Sequence, residues 1–348
     1  MKAQSISTYG ATSALRDLVA KNKAEMLKAQ QEVTTGTVFD VGLALGSKSG
    51  QSVSLRKEYD RLNVLTDMNK LVQQRMNVTQ TATNGIIEKT QNFRSELMSV
   101  NSTTESAATI AEVAKSMLHS ITGLLNTNYN GEYIFAGVNT DVKPVADYTE
   151  GCPAQAAVRQ AFQTHFGFAI DDPQVANITG DAMSAFLEGD FADEFNDTNW
   201  ATNWSDASDT VIKNRISPTE TANTSISANA AGFRKTIMSA VMMTEFAAIG
   251  LNSSAFQAMT HQAVQTTTTA ISEATSEQTV LGLAQSRTEA ATTRIAIQQK
   301  ILNQSALNLE EVDPYEAATR VNALKTQIET SYSLTVQLQN MSLLNYLR

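Results

Sequence analysis

The residues that most often carry out chemistry in proteins are few in this chain of 348 residues. It contains three histidines, His119, His165 and His261, and a single cysteine, Cys152. None of the histidines stands at a spacing from another ligand that is typical of zinc sites, such as His-Glu-x-x-His. One cysteine cannot form an internal disulfide, and nothing near it in the sequence would activate its thiol as a nucleophile. The sequence predicts no metal site and no catalytic thiol.

Two segments resemble ligand-binding motifs without matching them. Residues 42–49 resemble a phosphate-binding loop, but Ser47 occupies the place of the second glycine that this loop requires. An acidic cluster lacks the spacing of a calcium loop and is expected to form a solvated face. It consists of Glu188, Asp190, Asp193, Glu194 and Asp197. We therefore expect no catalytic residue, no cofactor and no enzymatic activity.

The composition indicates a folded, acidic protein. The chain is 42% hydrophobic and 18% charged, which is typical of folded domains rather than of disordered or membrane-embedded chains. Its net charge of −9 and its pI near 5.0 oppose nonspecific binding to nucleic acid or to anionic membranes. The polar N-terminal region lacks the apolar core of a secretory signal, and no apolar stretch is long enough to span a bilayer. Export from the cell would need another route.

Two long regions with few prolines have the periodicity of coiled-coil helices. In residues 62–100 the seam positions alternate in steps of three and four, and the same alternation runs through residues 256–312. The first seam comprises Leu62, Leu65, Asn69, Val72, Met76, Thr79, Thr83, Ile86, Thr90, Phe93, Leu97 and Val100. The second comprises Phe256, Ala263, Ala270, Ala274, Leu281, Ala291, Ile295, Leu302, Leu309 and Val312. We expect these two helices to pair.

The residues between the two helical regions differ in composition. Four of the five prolines lie between 144 and 218, and 11 of the 22 aromatic residues lie between Tyr133 and Trp204. The predicted fold is mainly α with an inserted α+β domain. The expected domains are the terminal coiled-coil helices, 1–45 with 313–348; a helical rod domain, 46–140 with 231–312; and a mixed α/β outer domain, 141–230.

The inserted region contains signals for both helices and strands. Apolar residues at helical spacing predict helices over 153–168 and 181–187. Alternation of small polar and β-branched residues predicts strands within 209–228. The run at 130–137, bounded by glycines, is expected to be a short strand that leaves the first helical region.

Both chain ends carry apolar stripes, although chain ends are ordinarily polar and frayed. Asp313, Pro314 and Glu316 signal a helix start, with a capping residue, a first-turn proline and the acid of a capping box. The stripe that follows is interrupted at Ser331, and that of the N-terminal helix is broken at Asn22. We predict an assembly interface between copies, with a monomeric bundle within one chain as the alternative. The predicted interface residues are Leu15, Leu18, Met26, Val33, Val321, Leu324, Ile328, Leu334, Leu338, Met341 and Leu344.

Three segments resemble the bacterial flagellin family, and the resemblance covers the whole chain. The N-terminal helix ends in Glu32-Val33-Thr34-Thr35-Gly36-Thr37, which is similar to the family's pattern of an apolar residue, two hydroxyl residues and glycine. Residues 126–137 contain the family's Asn-Gly-x-Tyr-Ile-Phe-x-Gly turn. The chain end, 339–347, is similar to that of flagellin-like hook-associated proteins. The resemblance implies long coiled-coil helices from both chain ends plus a variable middle domain.

The loop after Gly36 departs from the usual family pattern. Most members continue with a Ser-Asp-Asp-Pro-like loop, whereas residues 39–46 here read Phe-Asp-Val-Gly-Leu-Ala-Leu-Gly. This version resembles the junction proteins of alphaproteobacteria. Contacts that other members make through this loop are therefore not carried over to this chain.

The resemblance implies a structural subunit of the bacterial flagellum that forms the junction between hook and filament. The implied partners are copies of itself, the first hook-associated junction protein on the hook side, flagellin on the filament side and a flagellar export chaperone. Export by the flagellar type III apparatus, without a cleaved signal peptide, would place the chain outside the cell. Filament flagellin is the closer alternative, and a cytoplasmic coiled-coil signalling protein is the more distant one.

Overall fold

The computed structural model describes residues 8–100 and 103–346. They form two compact units, one made of the chain up to residue 64 together with the chain from 296 onward, and the other made of residues 65–295. Helix dominates both units, as the sequence predicts. None of the helices in the described ranges combines the length and the apolar character that a membrane span requires.

The first unit is built from the two chain ends. Its elements are α1 (Thr8–Thr35), α2 (Val41–Leu45), a 3₁₀ turn (Gly46–Lys48), the first part of α3 (Ser49–Ser99), the last part of α10 (Ser253–Glu310) and α11 (Pro314–Tyr346). Helix α11 begins where the sequence predicts, because the Asp313 carboxylate accepts a hydrogen bond from the Tyr315 amide at 2.8 Å. The Glu316 carboxylate does not complete the predicted capping box; it pairs with Arg320 at 3.2 Å.

The second unit contains the rest of α3 and α10 and the chain between them. Its further helices are α4 (Thr104–Leu125), α5 (Pro153–Phe166), α6 (Gly180–Glu188), α7 (Asp190–Asp193), α8 (Asp197–Asn203) and α9 (Ala231–Phe246), with a 3₁₀ turn at Pro173–Asn177. Its strands are β1 (Asn128–Tyr129), β2 (Glu132–Tyr133), β3 (Lys213–Ser217) and β4 (Glu220–Asn223). The strands form two separate antiparallel pairs, β1 with β2 and β3 with β4.

The predicted seams of α3 and α10 are confirmed within the second unit. Amide side chains beside the seam bridge the two helices, with Gln285 donating to Asn77 at 2.8 Å and Gln80 donating to the Gln278 carbonyl at 2.9 Å. The buried seam positions of α3 are Asn69, Met76, Thr79, Thr83, Ile86, Thr90, Phe93 and Leu97, and those of α10 are Phe256, Ala263, Ala270, Ala274, Leu281, Ala291 and Ile295. Small seam residues bring the helices close but bury little apolar area per position.

The run at 130–137 forms a tight reversal rather than the single strand that the sequence predicts. Asn130 and Gly131 both have positive φ, 54° and 88°, which fits a two-residue turn between β1 and β2. Downstream, Ile134 and Phe135 are fully buried. Gly137 has φ 65°, and a Cβ there would lie 2.3 Å from the Ser208 carbonyl oxygen. The turn motif therefore fixes where the chain enters the inserted region.

Aromatic residues of the inserted region pack around the C-terminal end of α9, within the core of the second unit. Phe162 and Phe186 pack against Phe246 with ring centroids 5.4 and 5.5 Å apart, and Phe191 packs against it at 5.6 Å. The helices predicted at 153–168 and 181–187 are confirmed as α5 and α6. The predicted strands within 209–228 are confirmed as β3 and β4.

The region also closes on itself where it begins and ends. Ala136 and Ser227 form an isolated antiparallel bridge. The Ala228 amide donates to the Phe135 carbonyl at 2.7 Å. The chain thus leaves and returns at neighbouring points.

Candidate assembly surface of the terminal helices

Helices α1 and α11 pack against each other within the first unit. Arg320 of α11 contacts Glu32 near the end of α1 at 3.0 Å, and Gln327, about two turns further along α11, bonds to Asn22. The two helices are therefore antiparallel. Their seam contains both predicted and unpredicted residues. Its buried members are Val19, Asn22, Ala29, Ala317, Ile328 and Ser331, and its half-buried members include Leu15, Met26, Val321, Leu324, Thr335 and Leu338.

The seam runs through the polar residues that interrupt the apolar stripes in the sequence. Asn22 is 8% exposed and donates to the Gln327 side chain at 3.3 Å, while Ser331 is 6% exposed. Both positions fit the steps of three and four that a coiled-coil seam requires. Their spacing alone identifies Asn22 and Ser331 as seam positions. A search for apolar residues misses them because both side chains are polar. A seam with polar and small members is weakly held by burial.

Several large apolar residues of this helix pair remain outside the seam. Among the predicted interface residues, Leu18, Val33 and Leu334 are 46%, 40% and 45% exposed. Further exposed residues, which the sequence analysis missed, are Leu27, Tyr315, Tyr332 and Val336. The side chains of Met341 and Leu344, also predicted for this interface, lie outside the described residues. The predicted set therefore divides into seam residues, which meet within one chain, and outward residues, which do not.

Two connectors lie next to this helix pair: the first comprises residues 36–48, between α1 and α3, and the second comprises residues 311–313, between α10 and α11. The start of the first connector pairs with the second as a short backbone ribbon. Thr37, after α1, and Glu311, after α10, form an antiparallel bridge. The Val38 amide donates to the Glu310 carbonyl at 2.8 Å, and the Val312 amide donates to the Gly36 carbonyl at 3.1 Å. Gly36 has φ 70°, a conformation that glycine adopts readily. The Thr-Thr-Gly element of the sequence is thus the point where the first connector turns into the ribbon.

A buried carboxylate holds the end of α10 next to this ribbon. The Glu310 side chain is 7% exposed and accepts hydrogen bonds from Arg56, at 2.5 Å, and from Ser52. The hydrogen bond from Arg56 lowers the pKa of Glu310, because it stabilises the charged form, and the Ser52 hydroxyl acts in the same direction. The ion pair joins the first turns of α3 to the last turn of α10.

The second unit also has a buried carboxylate, and its surroundings indicate a structural role. Glu245 accepts hydrogen bonds from Tyr148 at 3.1 Å, from Gln155 at 2.7 Å and from Arg159 at 2.8 Å. Burial is the main cause that raises the pKa of the Tyr148 hydroxyl, and the charge of Glu245 adds to it. With three donors the carboxylate is well satisfied and joins α5 to α9. It contributes packing rather than an open reactive group.

The residues considered for chemistry in the sequence make ordinary structural contacts. The Cys152 thiol caps α5, accepting from the Gln155 amide at 3.4 Å. His165 pairs with Asp190 at 2.6 Å on the surface. Within the described ranges no group of three or more His, Cys, Asp or Glu side chains is placed to hold a metal ion.

Comparison with known protein families identifies the family of this chain. The family description "Bacterial flagellin N-terminal helical region" matches residues 6–140, and "Bacterial flagellin C-terminal helical region" matches residues 264–347. The chain belongs to the bacterial flagellin family. The two matches include both terminal helices of this flagellin-family chain and most of its α3–α10 pair. Flagellin-family proteins are structural components that self-assemble in the flagellum.

Solved structures show the same fold for this flagellin-family chain. A structure provisionally named a flagellar hook-associated protein, from Vibrio parahaemolyticus, has a TM-score of 0.52 and 9% sequence identity. The similarity covers 76% of this chain and 97% of that chain. At this identity the likeness concerns the fold alone. No curated protein sequence matches the chain.

Proposed function

We propose that this chain forms the junction between hook and filament in the bacterial flagellum, assembling through its terminal helices. The observation that carries the proposal is that the α1–α11 seam is filled within one chain while Leu18, Val33 and Leu334 stay exposed beside it. Apolar side chains that a helix pair does not use for itself are available to neighbouring copies. Residues 1–45 with 313–348 would then form the inner tube and residues 141–230 the outer surface.

The junction role draws on the resemblance of the chain end and of the Asn130–Gly137 turn to hook-associated proteins. The fold shared with a protein provisionally named hook-associated agrees with that role. The proposed neighbours are the first hook-associated junction protein on one side and flagellin on the other. Export would use the flagellar type III apparatus, with a chaperone that covers the C-terminal helix beforehand. The role requires no enzymatic activity, and turnover of a hydrolase or oxidoreductase substrate by the purified protein would contradict it.

Filament flagellin is the second candidate, favoured by the match of both chain ends to the flagellin descriptions. Immunogold electron microscopy of intact flagella separates the two roles. A junction subunit gives a single band of label at the tip of the hook. Label along the whole filament would contradict the junction role and support flagellin. Loss of the chain should leave hooks without firmly attached filaments if the junction role is right.

A further inference from the structure

The first connector holds two large apolar side chains in solvent. Leu43, on the short helix α2, is 83% exposed, and Phe39, just before that helix, is 47% exposed. The Lys28 ammonium lies 5.9 Å from the centre of the Phe39 ring and covers part of it. We call Phe39 and Leu43 the connector patch. It lies in the loop where this sequence departs from the usual family pattern.

The backbone beneath the connector patch is held at each step. Before the patch, the Val38 amide is bonded to the Glu310 carbonyl at 2.8 Å. At the patch itself, the Phe39 amide donates to the Glu32 carboxylate at 3.1 Å. The Asp40 carboxylate then caps α2 by accepting from the Leu43 amide at 2.9 Å. An apolar side chain on such a backbone loses little freedom when a partner covers it, so binding costs less entropy.

The polar groups around the connector patch complete the layout of a protein interface. The Lys28 ammonium lies over the Phe39 ring, and the Glu32 and Asp40 carboxylates bond to the backbone of the patch, so charges of both signs border it. An apolar centre with a charged rim is the usual anatomy of a surface that binds protein. Among the described residues neither apolar side chain is enclosed by the chain's own core. The arrangement favours an occupant that comes from outside the chain.

We propose that the connector patch docks onto a second copy of this chain in the assembled flagellum. Flagellin-family chains self-assemble, and the patch follows directly on α1, whose outward residues carry the proposed assembly surface. The inference rests on that proposed assembly and adds a contact outside the terminal helices. A ring or a helical array joins unlike surfaces of neighbouring copies, so the patch seats on a different part of the next chain.

Photo-crosslinking in intact flagella tests which protein covers the connector patch. Leu43 is replaced by benzoylphenylalanine, which is also large and apolar, and the flagella are irradiated. We expect an adduct of about twice the 37.6 kDa chain mass, with the cross-linked peptide outside residues 36–48. An adduct with a protein of different sequence would overturn the proposal. Absence of any adduct from incorporated chains would overturn it as well.

Charge substitution tests whether the contact contributes to assembly. We expect Leu43→Asp to reduce incorporation about tenfold relative to the natural chain, because a buried carboxylate replaces an apolar anchor. Ala44→Asp is the matched control, since it adds the same charge to an exposed position of the same helix, and it should incorporate within about twofold of the natural chain. Equal incorporation of Leu43→Asp and Ala44→Asp would overturn the proposal. Circular dichroism of both purified variants confirms that each is folded.

The junction assignment and the connector contact can fail separately. If the label in electron microscopy extends along the filament, the adduct at residue 43 still reports a contact between copies. If Leu334→Asp leaves incorporation unchanged while Leu43→Asp reduces it, the terminal-helix surface is wrong and the connector patch stands. If the reverse holds, the connector patch is wrong and the terminal-helix surface stands.

Discussion

At the scale of single residues, Glu310 is the side chain whose position most needs explanation. It lies at the C-terminal end of α10, where the helix dipole disfavours a negative charge. The guanidinium of Arg56 and the hydroxyl of Ser52 offset that cost by hydrogen bonding to the carboxylate. The backbone carbonyl of Glu310 accepts a hydrogen bond from the Val38 amide. One residue thus joins two helices and the connector ribbon.

Replacing Glu310 by glutamine should loosen the connector ribbon. We expect the free energy of opening of the Val38 and Val312 amides to fall by about 1 kcal/mol at pH 7, because the ion pair is lost but Arg56 is 43% exposed and can be hydrated. Native-state hydrogen exchange measures this. Glu289→Gln, at an exposed position of α10, should leave both amides unchanged.

The Glu310 contribution should also depend on pH. Its pKa is lowered in the folded state, so the stabilisation is fully present above the unfolded value of about 4.3 and is lost as the pH falls through the folded value. The difference between the natural chain and Glu310→Gln should therefore shrink in acid. A difference that grew below pH 4 would show that the carboxylate is not the charged partner.

At the scale of elements, helices α9 and α10 approach each other closely at Gly232. A Cβ on Gly232 of α9 would lie 2.5 Å from the Ala274 amide nitrogen and 3.0 Å from the Ala270 carbonyl oxygen. These are backbone atoms, so the helices would have to separate. The small residues of the α10 seam are therefore needed for close packing as well as for helix formation.

Two glycine substitutions separate close packing from helix propensity. We expect Gly232→Ala to lower the free energy of unfolding by about 1–3 kcal/mol, because the added methyl overpacks the contact. Gly282→Ala adds the same methyl within α10, where the nearest atom is the end of the Gln80 side chain at 3.4 Å. It should raise stability by up to about 1 kcal/mol. Urea unfolding gives both values, and a stabilising Gly232→Ala would contradict the described packing.

The sequence predicted elements best where a local signal and a long period agree. The α3–α10 seam and the start of α11 at Pro314 follow from spacing and capping chemistry. The exposure of Leu334 did not follow, because an apolar stripe does not tell a seam position from its neighbour, and here the seam position is Thr335. The hairpin at Asn130 was predicted as one strand, since the Asn-Gly turn signal was read as a boundary. The Glu310 pair joins residues about 250 positions apart and has no local signal.

At the scale of the whole molecule, the terminal helices should be essential for assembly. Deleting residues 314–348 removes α11 and leaves α1 without its seam partner. We expect the truncated chain to be absent from flagella, with filament subunits shed into the medium. Fractionation of cells and medium measures this, and the full-length chain supplied from a plasmid is the control. Normal motility of the truncated strain would contradict the assembly model.

The terminal helix pair should be less stable alone than in the polymer. Its seam includes Asn22, Ser331 and Thr335, so burial holds it weakly. The seam of the second unit also has polar members, but its apolar members belong to one large hydrophobic core with the aromatic residues around α9. We expect amides of α1 and α11 in a dilute monomer to exchange much faster than those of residues 69–97. Hydrogen exchange of monomer and assembled flagella measures the difference. Full protection in the monomer would favour the bundle within one chain.

The bridge between Ala136 and Ser227 bears on how such chains can change over evolutionary time. Because the inserted region begins and ends at hydrogen-bonded neighbours, its length can change without moving the flanking backbone. A chain with a shorter inserted region would need other residues to cover Phe246, which Phe162 and Phe186 now cover. Insertions would meet no such demand. The inserted region can therefore lengthen more readily than it can shorten.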